Sequence, residues 1–150
     1  MIKRICKSLL GIQEDKSVVV LDPSSLPGAK GAPPEPDMRL TGLFGDVDEE
    51  KVSELATAFL YMNEMNKLTP KKEERKPIDF YVSTYGGNAD DMFALYDVMR
   101  QVREETEINT IGLGKVMSAG VLLLAGGTKG KRKIGRNCRV MIHSVIAGNH

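Results

Sequence analysis

Between residues 39 and 142 short apolar runs alternate with segments of helical period, and this alternation constrains the fold more than any other feature of the chain. The runs 39–45 (RLTGLFG), 78–83 (IDFYVS), 108–114 (INTIGLG) and 138–142 (CRVMI) read as strands. Helices fall between them. Asp48 is placed to cap the first, whose apolar positions Val52, Leu55, Ala56, Phe59 and Leu60 share one face. Asn88 is placed to cap the second, with Asp91 three residues on as a weak capping box and Met92, Leu95, Tyr96 and Met99 on the inner face. The third, 118–125 (SAGVLLLA), is nearly all apolar and stops at Gly126 and Gly127. The stretches 67–76 and 103–107 (REETE) are charged and read as exposed loops, and 129–133 (KGKRK) reads as a basic turn. Strands that alternate with helices pair in parallel, because a crossover helix carries the chain back to the same end of the sheet. The expected fold class is α/β, with a mainly parallel sheet of βαβ units.

Ahead of this regular text the composition changes. Residues 22–37 (DPSSLPGAKGAPPEPD) hold Pro23, Pro27, Pro33, Pro34 and Pro36, most of the chain's 7 prolines. Such a segment is a linker rather than a core element. The domain division is therefore 1–37, an N-terminal tail and Pro-rich linker, and 38–150, the compact domain. The first residues (MIKRICKSLLGI) are basic and mildly amphipathic, but lack the long apolar core and small-residue cleavage site of a secretory signal.

Charge and cysteine content narrow the function classes. With 21 basic and 20 acidic side chains among 150 residues, the net charge of +1 offers no general attraction to nucleic acid or anionic membrane. No apolar run approaches the ~20 residues of a membrane span. Cys6 and Cys138 do not make a disulfide framework, and a reducing, cytoplasmic location is expected. No Cys/His cluster has zinc spacing, so neither metal nor cofactor is expected. The Gly86–Gly87 turn lacks the partners of a dinucleotide fingerprint or a Walker lysine.

Three positions carry potential chemistry. Ser118 lies between a strand and an apolar helix, where it is either an N-cap or a nucleophile on a tight turn beside free backbone N–H groups. Val116 stands where the G-x-S-x-G elbow needs glycine, so that motif is excluded. Gly86 and Gly87 follow a strand and precede a helix, as a plain turn or as a backbone cradle for an oxyanion. His143 directly follows the last apolar strand, where α/β folds often place functional side chains.

Taken together these positions resemble a known family. Residues 112–143 read GLGKVMSAGVLLLAGGTKGKRKIGRNCRVMIH. This is similar to the ClpP family, the proteolytic subunits of ATP-dependent Clp proteases. That family sets its nucleophile in an A-S-M-G-like tetrapeptide, follows it with an apolar helix and an A-G-x-K-G-K-R turn, and reaches its catalytic base in R-x-M-I-H. The interval of 25 residues from Ser118 to His143 is the family's own. Upstream, VSTYGG (82–87) resembles I-N-S-P-G-G and LYDVM (95–99) resembles I-Y-D-T-M.

The resemblance implies a ClpP/crotonase-like spiral of βαβ units and serine-type endopeptidase activity without metal or cofactor. It implies Ser118 as nucleophile, His143 as general base, and the backbone N–H groups of Gly87 and Ala119 as the oxyanion hole. An extended run after Gly87 would hold the substrate backbone. The partners it implies are unfolded protein substrates, copies of the chain in seven-membered rings, and a separate AAA+ unfoldase; neither nucleic acid nor membrane is among them.

Some residues depart from the family pattern. Ser83 and Tyr85 replace the asparagine and proline of the glycine turn, Ala119 replaces the methionine after the nucleophile, and Ser144 follows the histidine in place of glutamine. The stretch 102–109 is two residues longer than usual. The family's triad acid and interlocking helix lie well downstream of the histidine and have no counterpart in these 150 residues, so an incomplete chain with little activity of its own is expected. The alternatives are a non-catalytic ring subunit, or a maturation peptidase of the same fold.

Overall fold

A computed structural model describes residues 38–144. The expectations for 1–37 and for the end of the chain lie outside them. Among the described residues five parallel-paired strands and three helices follow in the order β1 (Leu40–Phe44), α1 (Glu49–Lys67), β2 (Ile78–Thr84), α2 (Ala89–Val102), β3 (Ile108–Met117), α3 (Ala119–Ala125), β4 (Arg132–Ile134) and β5 (Arg139–Met141), with a 3₁₀ turn at Lys72–Glu74. The spatial order is β1-β2-β3-β4, and β5 joins the same edge of the sheet by pairing with β3. β3 is thus shared: Thr110–Gly112 pair with β4, and Lys115–Met117 pair with β5.

Alternation sets the register. In β2 the side chains of Ile78, Phe80, Val82 and Thr84 are buried while those between are half-buried. Sliding the strand by one residue would turn this whole set out of the core. α1 and α2 cover the sheet with Val52, Leu55, Phe59 and Met62, and with Met92, Leu95, Met99 and Val102. At their meeting point the Phe59 and Phe80 rings cross edge to face, 5.2 Å between centroids.

Both helix starts are capped as the sequence indicates. Asp48 accepts the Lys51 N–H at 2.9 Å, and Asn88 Oδ1 accepts from Asp90 and Asp91 N–H at 2.7 and 3.2 Å. The expected capping box at α2 does not close, because the Asn88 N–H donates to Val47 O instead.

Four expectations are corrected. Leu60 is exposed, and the buried face of α1 continues through Met62 to Asn63 and Asn66. The basic stretch read as a turn contains β4, whose three residues are all exposed. β3 runs on to Met117, past the expected end at Gly114, because β5 extends its edge. Thr106, in a segment read as exposed, is buried: its hydroxyl donates to Asn63 Oδ1 (2.7 Å) and accepts from Asn66 Nδ2 (3.0 Å). Charge count hides such a residue, because the hydroxyl's partners come from a helix about 40 residues earlier.

Between β2 and β3 the ladder slips. Val82 pairs with Gly112 and Thr84 with Val116, so Leu113, Gly114 and Lys115 bulge out opposite Ser83 alone. Gly114 takes φ +63° there, a conformation that suits glycine. The bulge ends three residues before Ser118.

Candidate active site

Ser118 joins β3 to α3 with φ 53° and ψ −123°, and is the sole non-glycine residue with positive φ among those described. Such a backbone costs about 1–3 kcal/mol and persists where the surroundings force it. Here the forcing contacts are visible. The Ser118 N–H donates to Met141 O at 2.9 Å, which ties the turn to β5, and its carbonyl accepts the Val121 N–H at 3.0 Å. The N-cap alternative is not what the structure contains, since the Ser118 side chain caps no N–H of α3. Among the described residues its hydroxyl has no hydrogen-bond partner.

The glycine turn closes against this serine. A Cβ on Gly86 would lie 2.7 Å from Ser118 Cβ and 3.1 Å from Oγ, so any side chain at 86 would occupy the serine's own space. Gly86 is fixed by Thr84, whose buried Oγ1 accepts the Gly86 N–H at 2.9 Å. Gly87 is fixed by Val47, whose N–H donates to Gly86 O and whose carbonyl accepts the Asn88 N–H, both at 2.9 Å. In a parallel bridge of this kind the bracketed residue turns its own N–H to the other side. Among the described residues the Gly87 N–H accordingly has no acceptor. A side chain at 87 is impossible, for its Cβ would lie 2.2 Å from Val47 O. Ala119, the first residue of α3, likewise has an N–H with no intrahelical partner. Gly120 lets α3 approach β2, where a Cβ would lie 2.3 Å from Thr84 Cγ2. Val47 and Thr84 were not singled out from the sequence. The one available signal was that Thr84 continues the inward alternation of Ile78, Phe80 and Val82 one step past the strand read as 78–83.

His143 lies two residues beyond Met141, which pairs with Met117. Ser118 and His143 therefore leave the same end of two adjacent parallel strands. The imidazole Nδ1 lies 2.6 Å from Ser144 O. A carbonyl only accepts, so Nδ1 is the donor in this contact. No hydrogen bond joins the Ser118 hydroxyl to the imidazole in this conformation, and no carboxylate among the described residues pairs with His143.

The extended run expected after Gly87 is absent. Asn88 caps and Ala89 begins α2, so the chain turns into a helix within two residues of the glycine. The strong side-chain cap offered by Asn88 starts the helix early. Among the described residues no group of three His, Cys, Asp or Glu side chains could hold a metal ion, and no helix is long and apolar enough to cross a membrane.

The parallel βαβ sheet thus sets an unpartnered serine on a strained strand-to-helix turn, packed against Gly86, at the same strand end as a histidine. Residues 39–150 match the Clp protease family, and the chain belongs to it. It is 34% identical over 110 residues to the ATP-dependent Clp protease proteolytic subunit 1 of Leifsonia xyli subsp. xyli, covering 73% of this chain and 51% of that protein. Among solved structures it is similar to the ClpP protease catalytic domain from Plasmodium falciparum, at 31% identity and TM-score 0.62, covering 70% of this chain and 55% of that one. The expected ClpP-like fold is thereby established. The chain spans about half the length of the relatives it matches.

Proposed function

We propose that this chain is part of the proteolytic subunit of an ATP-dependent Clp-type protease, a serine endopeptidase acting on unfolded proteins. Ser118 Oγ attacks the peptide carbonyl, and its proton passes to His143 Nε2. The oxygen that gains charge accepts from the Gly87 and Ala119 N–H groups. As the C–N bond breaks, the imidazolium returns the proton to the leaving amine. Water then hydrolyses the acyl-serine through the same groups in reverse. The observation that carries this reading is the strained Ser118 turn, with a hydroxyl that caps nothing and a glycine pressed against it.

An imidazole turned to Ser144 must rotate toward the hydroxyl for the first step, a rearrangement ordinary for a ligand-free site. The biological partners in this reading are further copies of the subunit in rings and an AAA+ unfoldase in the cytoplasm. The test is covalent labelling of the whole protein by a fluorophosphonate, with the modified residue located by mass spectrometry. Modification at 118, lost in Ser118→Ala, is expected, together with unfoldase- and ATP-dependent breakdown of a folded, tagged substrate. An unlabelled Ser118 would sink the reading.

The missing Ser118–His143 hydrogen bond favours one second reading, a ring subunit that keeps the fold without cutting. In that case rings assemble while labelling and peptide cleavage are both absent.

A further inference from the structure

Lys115 closes the three-residue bulge of β3, three residues before Ser118. Its ammonium lies over the Tyr85 ring, 4.7 Å from the centroid. Tyr85 directly precedes Gly86, the residue pressed against Ser118. The contact thus joins the segment that carries Gly86 to the strand that leads into Ser118. Lys115 also pairs in register with Arg139 of β5. In a parallel ladder, paired residues point to the same face, and like charges placed opposite one another are unfavourable. Among the described residues neither cation has a carboxylate partner. The acidic residues nearest along the glycine turn, Asp90 and Asp91, belong to the first turn of α2 and pair with neither.

The ring over Lys115 does not cancel its charge. It removes water from one side of the ammonium and pins a long, flexible stem. A pinned, half-desolvated cation loses less entropy, and is less screened, when it meets an anion. We propose that Lys115, held against Tyr85, is a specificity-determining residue that favours substrates with an acidic side chain within a few residues of the scissile bond. This inference rests on the peptidase reading above and adds a substrate class to it.

The test uses the whole protein and quenched fluorescent peptides of one parent sequence, with Glu, Gln or Lys placed in turn at the three positions on each side of the cleavage point. At one or more positions the Glu peptide is expected to show kcat/KM about threefold to tenfold above the Gln peptide, and the Lys peptide to fall below both. The advantage shrinks as salt is raised toward about 0.5 M. Lys115→Gln removes the Glu-over-Gln ratio, and Lys115→Arg, which keeps the charge, retains it. Ratios taken within one variant cancel any general loss of activity. Equal rates for Glu and Gln at every position, or a ratio that survives in Lys115→Gln, overturn the inference while fluorophosphonate labelling of Ser118 leaves the peptidase reading intact. Absence of that labelling overturns both.

Discussion

Gly86 and Ser118 share one volume: a Cβ at residue 86 would stand 2.7 Å from the serine Cβ and 3.1 Å from its hydroxyl oxygen. Gly86 also has φ +110°, where side chains are strained. Gly86→Ala therefore pushes the serine turn out of place while leaving Ser118 and His143 chemically intact. A displacement near 1 Å in a reacting group costs about 10²-fold in rate. The second-order rate of fluorophosphonate labelling is expected to fall by that order. Gly130→Ala is the control, because φ is +83° there and no atom lies within 4 Å of the added carbon. That variant is expected to lose about 1–2 kcal/mol of stability from backbone strain and to label at the wild-type rate.

The strain at Ser118 is measurable separately from its chemistry. Ser118→Ala and Ser118→Gly both remove the hydroxyl, and both are expected to abolish labelling. They differ in backbone, since alanine keeps the unfavourable φ of 53° and glycine adopts it readily. Ser118→Gly is therefore expected to be more stable than Ser118→Ala, by about 1 kcal/mol or more, in urea or thermal unfolding. Equal stabilities would show that the turn stores no strain.

What the sequence made legible is what repeats along it. Alternation exposed β2, helical period exposed the faces of α1 and α2, and Asp48 and Asn88 marked the two helix starts because their side chains act within three residues. The serine, the glycine pair and the histidine stood out as chemistry at element ends. Hidden were contacts between segments far apart. Val47 was an ordinary valine until its backbone was seen to bracket Gly87. Lys115 was one lysine just past the strand read as 108–114 until it was seen over Tyr85. β4 was masked by its composition, because an exposed three-residue strand needs no apolar pattern and forms only where β3 offers an open edge.

The crossing of Phe59 with Phe80 joins α1 to the centre of the sheet, and both side chains are fully buried. Phe59→Ala leaves a cavity under α1 and removes an edge-to-face contact. The expected cost is about 3–5 kcal/mol, read as a lower urea midpoint with an unchanged slope. Tyr61→Ala, on the exposed side of the same helix, is expected to change the midpoint little.

Tyr85 tests how far the ring, rather than the lysine alone, orients the cation. An exposed cation–π contact is worth about 0.5–1 kcal/mol. In Tyr85→Leu the Lys115 ammonium is released from the 4.7 Å contact but keeps its charge. The kcat/KM advantage of a Glu over a Gln peptide is expected to shrink by about twofold to fivefold without reversing. A Tyr85→Phe variant, which retains the ring, is expected to behave as the wild type.

The cap of α1 is also an ion pair, and its pH dependence has a definite sign at each end. Lys51 Nζ lies 2.5 Å from Asp48 Oδ2, and the Lys51 N–H donates to Oδ1. The Lys51 side-chain bond, then its backbone N–H, hold the Asp48 carboxyl below its ordinary 3.8, with desolvation opposing them. The same side-chain bond raises the Lys51 ammonium above its ordinary 10.5. A carboxylate with a depressed folded pKa stabilises fully above its unfolded value and loses that contribution as pH falls through the folded one. An ammonium with a raised folded pKa stabilises fully below its unfolded value and loses that contribution as pH rises through the folded one. The stability difference between wild type and Asp48→Ala is therefore expected to be flat between about pH 5 and 9 and to narrow below about pH 4 and above about pH 10.5. Urea unfolding across that range reads it directly. A gap that instead widened on acidification would mean that the neutral carboxylic acid caps α1 better than the carboxylate, contrary to the charge-assisted bond observed at Lys51.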